Sequence, residues 1–101
     1  MRIEVLYVPG CRNYEPALDR LRKVLASQSV RDRVVTLPVS TEAEATALRF
    51  PGSPTIRING EDIEPSQASV PGLACRLYTD QSGLPSEAAL RAAISAAKRI
   101  Q

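Results

Sequence analysis

Apolar and polar residues follow one another along the chain in blocks that predict alternating strands and helices. Residues 3–8 and 34–39 are short apolar runs, rich in β-branched residues, and each predicts a mostly buried strand. Between them, apolar residues recur at helical spacing and predict a helix from about residue 14 to about residue 27. The apolar stripe of this helix consists of Tyr14, Ala17, Leu18, Leu21, Val24 and Leu25.

Capping residues mark where three predicted helices begin. Asn13 is expected to cap the first helix. Thr41 and Glu44 fit a capping box, in which the hydroxyl and the carboxylate each bind a free amide. A short helix should therefore run from this box to about Arg49. Ser86 is expected to cap a last helix, in which the apolar face consists of Leu90, Ile94 and Ala97.

Turn signals complete the predicted order of elements. Asn59-Gly60 separates residues 55–58 from residues 61–63 and predicts a two-residue hairpin, because both turn positions require positive φ. From residue 64 to residue 83 the pattern is weak, and residues 75–78 are interpreted as a short extra strand or as an extended loop. The predicted order is strand, helix, strand, helix, strand, strand, helix. We expect an α/β fold with a four-stranded mixed sheet, since the first crossover is parallel and the hairpin is antiparallel.

Length and composition limit the classes of protein to consider. A chain of 101 residues suits a single domain, which we place at residues 1–101. A formal charge of +2, scattered basic residues and the lack of Trp argue against nucleic-acid binding. Because the chain contains no histidine, a Cys/His zinc site and a Ser-His-Asp or Cys-His catalytic set are excluded within one chain. We expect no cofactor and no resident metal site.

Sequence signals for location point to the cytoplasm. No segment approaches the length of a membrane-spanning helix, so no membrane partner is expected. The chain enters an amphipathic strand directly after Met1-Arg2, without the apolar stretch of a secretory signal. In the reducing cytoplasm, a pair of cysteines is more often transient and catalytic than structural. The two cysteines of this chain are therefore the first candidates for chemistry.

Three short segments resemble the thioredoxin-like superfamily: Tyr7-Val8-Pro9-Gly10-Cys11, Gly52-Ser53-Pro54-Thr55 and Asn59-Gly60-Glu61. The resemblance covers most of the chain outside roughly residues 65–83 and implies a thioredoxin-like three-layer sandwich of βαβαββα order. More narrowly, residues 50–55 (FPGSPT) and 72–78 (GLACRLY) look like a group of small bacterial thioredoxin-like proteins that are often labelled alkylmercury-lyase-like.

Cys11 is the first catalytic candidate. It follows a Pro-Gly turn at the junction of the first predicted strand and helix, where unpaired amides and the helix dipole favour a thiolate. Only the thiolate is a competent nucleophile or soft-metal ligand. Arg12 adds a nearby cation, unless its side chain points to water. The alternative is a buried cysteine that fills space as a small apolar residue.

Pro54 matches the proline that, in thioredoxin-like proteins, follows a cis peptide bond and faces the active thiol. The resemblance implies that this geometry turns the backbone of Ser53 outward, where it pairs with an extended substrate. Ser53, Pro54 and Thr55 are accordingly expected to bind substrate, together with Arg12 and Tyr14. The alternative is an ordinary trans proline in a loop.

Tyr14 occupies the position of the second cysteine in Cys-x-x-Cys motifs. The motif therefore lacks the second thiolate that would attack a mixed disulfide on Cys11 and release the substrate. Tyr14 is otherwise a core or rim aromatic of the first helix. Cys75 is the only replacement thiol, and about a dozen residues after the hairpin can span most of a small domain. The alternative for Cys75 is a structural role, packed under the loop with Leu77.

The residues are compatible with three functions. The leading one is a thiol-redox protein, which as an enzyme would be a thiol–disulfide oxidoreductase. Its expected partner is a protein or a low-molecular-weight thiol or disulfide. The second is a binding site for a soft metal ion such as Hg(II) or Cu(I), including an organomercurial-lyase-like activity. That reaction would need a proton donor, and Asp62, Glu64 and Asp80 are expected to be surface charges instead. The third is a non-catalytic thioredoxin-fold scaffold.

Overall fold

The order of strands and helices is the predicted one. The structure, a computed structural model, describes residues 1–64, 71–78 and 83–100. Its elements are β1 (Ile3–Tyr7), α1 (Tyr14–Ser27), β2 (Val34–Pro38), α2 (Glu42–Leu48), β3 (Thr55–Ile58), β4 (Glu61–Asp62) and α3 (Glu87–Ile100). The fold is therefore α/β with a mixed sheet of four strands, and most predicted boundaries lie within one residue of the observed ones.

The sheet places the end of β1 beside the start of β3. The strand order is β2–β1–β3–β4, with β1 and β2 parallel and the other two pairs antiparallel. In the antiparallel register, Leu6 near the end of β1 faces Thr55 at the start of β3. The segment that follows β1, which contains Cys11, and the segment that precedes β3, which contains Ser53, therefore lie at the same end of the sheet.

Apolar side chains are buried on both faces of this sheet, because successive residues of a strand point to opposite sides. One cluster joins β1 and β3 to α1 and α3, and its largest members include Ile3, Leu21, Ile56, Leu90 and Ile94. A second cluster contains Leu6, Val39, Ala45 and Phe50 and covers the opposite face with α2. Each fully buried side chain of this size contributes about 1.5–3 kcal/mol.

The hairpin and two of the three expected caps form as predicted. Asn59 and Gly60 have φ of 53° and 85°, the positive values that this turn requires. The Glu44 amide donates to the Thr41 hydroxyl (3.1 Å), and the Ala89 amide donates to the Ser86 hydroxyl (3.0 Å). Asn13 occupies the N-cap position of α1, as predicted, but its side chain makes no capping hydrogen bond.

Candidate functional site

Ser53 connects three segments that are distant in the sequence. Its hydroxyl accepts a hydrogen bond from the Val8 amide (3.0 Å), just after β1. Its own amide donates to the Ala74 carbonyl (2.8 Å), and its carbonyl accepts from the Arg76 amide (2.9 Å). Ser53 is 1% exposed, so these bonds form in a dry environment where an unpaired polar group would be costly. They hold residues 74–76 against the loop that carries Cys11.

Both cysteines line the cavity that results. Its volume is about 170 Å³, and its walls come from Val8, Pro9, Gly10, Cys11, Ser53, Leu73, Ala74 and Cys75. Cys11 is half-buried, Cys75 is exposed, and both carry free thiols. Leu77 is 66% exposed, so the alternative in which Cys75 packs under a loop with Leu77 is wrong. The structure thus brings together Cys11, Cys75 and Ser53, three of the residues that the sequence singled out.

Cys11 lies in a tight turn that leads into α1. Its amide donates to the Val8 carbonyl (3.0 Å), and its carbonyl accepts from the Tyr14 amide (3.2 Å). Gly10 has φ of 87°, a left-handed conformation that glycine adopts at little cost. Cys11 lies two residues before Asn13, the residue that precedes the first turn of α1. The helix points its amino-terminal end at this loop without including Cys11 in its first turn.

Pro54 and Thr55 are buried, and both form hydrogen bonds with other residues of the chain. The Ser53–Pro54 peptide bond is cis. The Pro54 carbonyl accepts a hydrogen bond from the Tyr78 hydroxyl (2.6 Å). The Thr55 hydroxyl donates to the Gly52 carbonyl (2.7 Å) and accepts from the Arg76 guanidinium (3.1 Å). Neither residue is among the described residues that line the cavity.

Arg12 and Tyr14, which were expected to bind substrate, also lie outside this lining. Arg12 is exposed. Tyr14 stacks on Tyr7, with ring centroids 3.8 Å apart and planes 13° from parallel. This contact joins the first turn of α1 to the end of β1, which fits the alternative role of Tyr14 as a core or rim aromatic.

A buried ion pair fixes the segment that carries Cys75. Arg76 is 4% exposed, and its guanidinium binds both carboxylate oxygens of Asp62 (2.7 and 3.0 Å). It also donates to the backbone carbonyl of Glu64 and lies over the ring of Tyr78, 4.3 Å from the ring centroid. The Asp62 side chain is only 19% exposed, so the expectation of a surface charge there is wrong. Asp80 lies outside the described residues.

Sequence reasoning missed Arg76 and Tyr78 as parts of the site. A signal was available, because residues two apart in an extended segment point to the same side. Arg76 and Tyr78 share that side and are buried, whereas Cys75 and Leu77 share the other side and are exposed. Burial raises the pKa of the Tyr78 hydroxyl, and the Arg76 guanidinium acts in the opposite direction. The phenol is accordingly neutral and serves as a hydrogen-bond donor to Pro54.

A larger cavity elsewhere contains no cysteine. Its volume is about 530 Å³, and it lies between the last turns of α1 and the start of β2, with Arg22, Leu25, Asp32 and Val34 among its walls. The described residues hold no group of three or more His, Cys, Asp or Glu side chains that would bind a metal ion. None of the described helices is long and apolar enough to cross a membrane. The cavity with the two thiols is therefore the candidate site.

Comparisons of the chain with protein-family models, with curated proteins and with solved structures found no match. The geometry around the two thiols is therefore the ground for assigning a function.

Proposed function

We propose that the chain is a thioredoxin-like thiol–disulfide oxidoreductase of the cytoplasm, in which Cys11 attacks a substrate disulfide and Cys75 completes the exchange. The observation that carries the proposal is that both thiols line one small cavity beside the buried Ser53. The strand order β2–β1–β3–β4 and the cis peptide bond before Pro54 support the thioredoxin-like part of it.

The exchange takes place in two displacement steps. The Cys11 thiolate attacks one sulfur of the substrate disulfide, a mixed disulfide forms, and the first substrate thiolate leaves. The Cys75 thiolate then attacks the Cys11 sulfur, an internal disulfide forms, and the second substrate thiolate leaves. Two electrons pass from the protein to the substrate, and the protons of the two protein thiols end on the two product thiols. Cys75 therefore performs the step that the residue at position 14, a tyrosine, cannot.

Single-turnover exchange tests this proposal. Reduced protein is mixed either with bis(2-hydroxyethyl) disulfide or with a disulfide-bridged peptide, quenched in acid and analysed by mass spectrometry. With at least one substrate, the wild type should form the Cys11–Cys75 disulfide and release both substrate thiols. The Cys75→Ser variant should stop at a mixed disulfide on Cys11. Leu77→Ser is the matched control, because Leu77 is an exposed neighbour in the same segment; it should behave as the wild type does.

Two outcomes count against the proposal. Release of both substrate thiols by Cys75→Ser would remove Cys75 from the reaction. If the Cys11→Ser variant exchanged disulfides at the wild-type rate, Cys11 would not be the attacking nucleophile. A protein that is inert toward both disulfides would favour the scaffold hypothesis, in which the fold serves only to bind a partner.

A second candidate function, the binding of a soft metal ion, rests on the same pair of thiols. Thiolates prefer soft ions, and Cu(I) and Hg(II) accept two sulfur ligands. The proximity of Cys11 and Cys75 at one cavity is what favours this candidate. Cu(I) binding is measured anaerobically by competition with a coloured chelator. The wild type should bind one ion per chain, and neither Cys→Ser variant should bind an ion with the affinity of the wild type. Undiminished binding by Cys75→Ser would exclude the two-thiol site.

A further inference from the structure

The backbone amide and carbonyl of Ser53, which were expected to pair with an extended substrate, already form hydrogen bonds with residues 74 and 76 of the chain. A peptide that adds to a sheet edge needs a free amide and a free carbonyl on that edge. Both groups of Ser53 are bonded to the chain itself, the amide to Ala74 (2.8 Å) and the carbonyl to Arg76 (2.9 Å). Ser53 and Cys75 form a parallel bridge as a result. Residues 74–76 thus lie where a substrate strand would lie.

Several contacts hold residues 74–76 in that position. The Arg76 guanidinium has its bidentate partner in Asp62, and both belong to a largely buried network. The Tyr78 hydroxyl binds the Pro54 carbonyl on the same segment. A methyl group added at Gly52 would meet the Cβ of Arg76 at 3.0 Å, so the two backbones are in close contact. Displacement of the segment would leave a buried guanidinium and a carboxylate without partners, which is strongly unfavourable.

The size and the lining of the cavity limit which disulfides can enter it. Its volume of about 170 Å³ is below the range of roughly 300–1,000 Å³ that is usual for drug-sized ligands. None of the described residues in its lining carries a charged side chain, and Val8, Pro9 and Leu73 are apolar. Such a lining fits a disulfide with short, uncharged substituents better than one with charged groups next to the sulfur atoms.

We propose that the substrate of the Cys11–Cys75 pair is a low-molecular-weight, uncharged disulfide and not an extended polypeptide, because the chain's own residues 74–76 occupy the pairing edge of Ser53. This inference rests on the proposed thiol–disulfide exchange. It narrows the partner to one of the two classes that the sequence leaves open.

A comparison of the rates with three substrates tests the inference. The reduced wild type is offered bis(2-hydroxyethyl) disulfide, glutathione disulfide, which carries charges, and insulin, which carries disulfides within polypeptide chains. Each rate of internal disulfide formation is divided by the rate at which dithiothreitol reduces the same substrate, which corrects for intrinsic reactivity. The corrected rate for the neutral small disulfide should exceed that for insulin at least tenfold, with glutathione disulfide in between.

Loosening the segment should change this preference. Arg76→Lys keeps the positive charge but loses the planar fork that binds both oxygens of Asp62. Tyr78→Phe is the milder variant, since it removes only the bond to Pro54. In at least one variant that folds, the ratio of the corrected rate with insulin to the corrected rate with the small disulfide should rise severalfold.

The outcomes separate the two proposals. If insulin reacts as fast as the small disulfide in the wild type, the substrate class is wrong and the exchange activity stands. If both variants fold and keep the wild-type preference, residues 74–76 do not exclude polypeptides and the inference is overturned. A wild type that is inert toward all three disulfides would overturn the exchange activity and the inference together.

Discussion

Arg76 and Tyr78 are buried in an extended segment, while the leucine between them is exposed. Hydropathy alone favours the opposite arrangement, in which Leu77 packs inward. The buried side wins because each polar group there has a partner: Asp62 and Thr55 for the guanidinium, and Pro54 for the phenol. No buried side-chain nitrogen or oxygen among the described residues lacks one. These partners are distant in sequence, which is why composition and periodicity do not reveal them.

Replacement of Tyr78 by Phe should destabilise the fold by about 1–2 kcal/mol, since the buried Pro54 carbonyl loses its donor. Urea denaturation followed by circular dichroism measures the change. Tyr7→Phe is the matched control, because the ring of Tyr7 keeps its stack on Tyr14; its effect should stay within about 0.5 kcal/mol. Equal effects of the two substitutions would show that the hydrogen bond to Pro54 contributes nothing.

The same tyrosine should make stability depend on alkaline pH. Burial raises the pKa of Tyr78 in the folded chain, whereas an unfolded tyrosine titrates near about pH 10. The contribution of Tyr78 is therefore fully present below about pH 10 and is lost as the pH rises through the folded pKa. Between about pH 10 and 11, the stability of the wild type should fall more steeply than that of Tyr78→Phe. Parallel curves would contradict the assignment.

At the scale of elements, helix caps show what the sequence predicts well and what it does not. Thr41 has extended backbone angles (φ −130°, ψ 156°), as a capping residue requires, and its hydroxyl reaches the Glu44 amide. Asn13 is in the helical region (φ −92°, ψ −6°), because the turn that begins at Cys11 runs directly into α1. The residue type at a cap is visible in a sequence, but the backbone angle that lets it act depends on the preceding turn.

Thr41→Ala should destabilise the protein by about 1 kcal/mol, because α2 has only seven residues and loses its capping acceptor. Thr46→Ala is the matched control, as it makes the same chemical change at an exposed position inside α2. Since alanine has the higher helix propensity, Thr46→Ala should be neutral or slightly stabilising. Thermal unfolding followed at 222 nm reports both effects, and equal losses for the two variants would rule out a role for the cap.

At the scale of the whole molecule, two of the three strand pairs of the sheet were predictable, and the packing of residues 71–78 was not. The parallel crossover and the Asn59–Gly60 hairpin are local or nearly local signals, and they predict the observed β1–β2 and β3–β4 pairs. The antiparallel β1–β3 pair, which joins them into one sheet, has no such local signal. The attachment of residues 71–78 depends instead on the close approach at Gly52 and on the Arg76–Asp62 pair. Cys11 and Cys75 were therefore recognisable as candidates from the sequence, whereas the contacts that bring them to one cavity were not.

Gly52→Ala should be one of the more damaging single substitutions. Gly52 has φ of 136°, and an added methyl would lie 3.0 Å from the Cβ of Arg76 and 3.1 Å from the Ala74 carbonyl oxygen. Strain and the clash together should cost more than about 2 kcal/mol, measured by urea denaturation. Gly10→Ala is the control, because its φ is also positive but nothing lies within 4 Å of the added methyl. A cost at Gly52 no greater than that at Gly10 would contradict the close approach.

The three connections of Ser53 determine when the thiol pair first exists during synthesis of the chain. Val8 lies 45 residues before Ser53, and Arg76 follows it by more than twenty positions. A ribosome that has released only the first 64 residues has made all four strands and Cys11, but not the partner thiol. Cys11 is therefore the single thiol outside the ribosome until Cys75 has emerged, and Arg76 must follow before the segment can bind the Ser53 carbonyl. Under the proposed exchange, Cys11 alone would stop at a mixed disulfide, and formation of the internal disulfide would report that residues 74–76 have docked on Ser53.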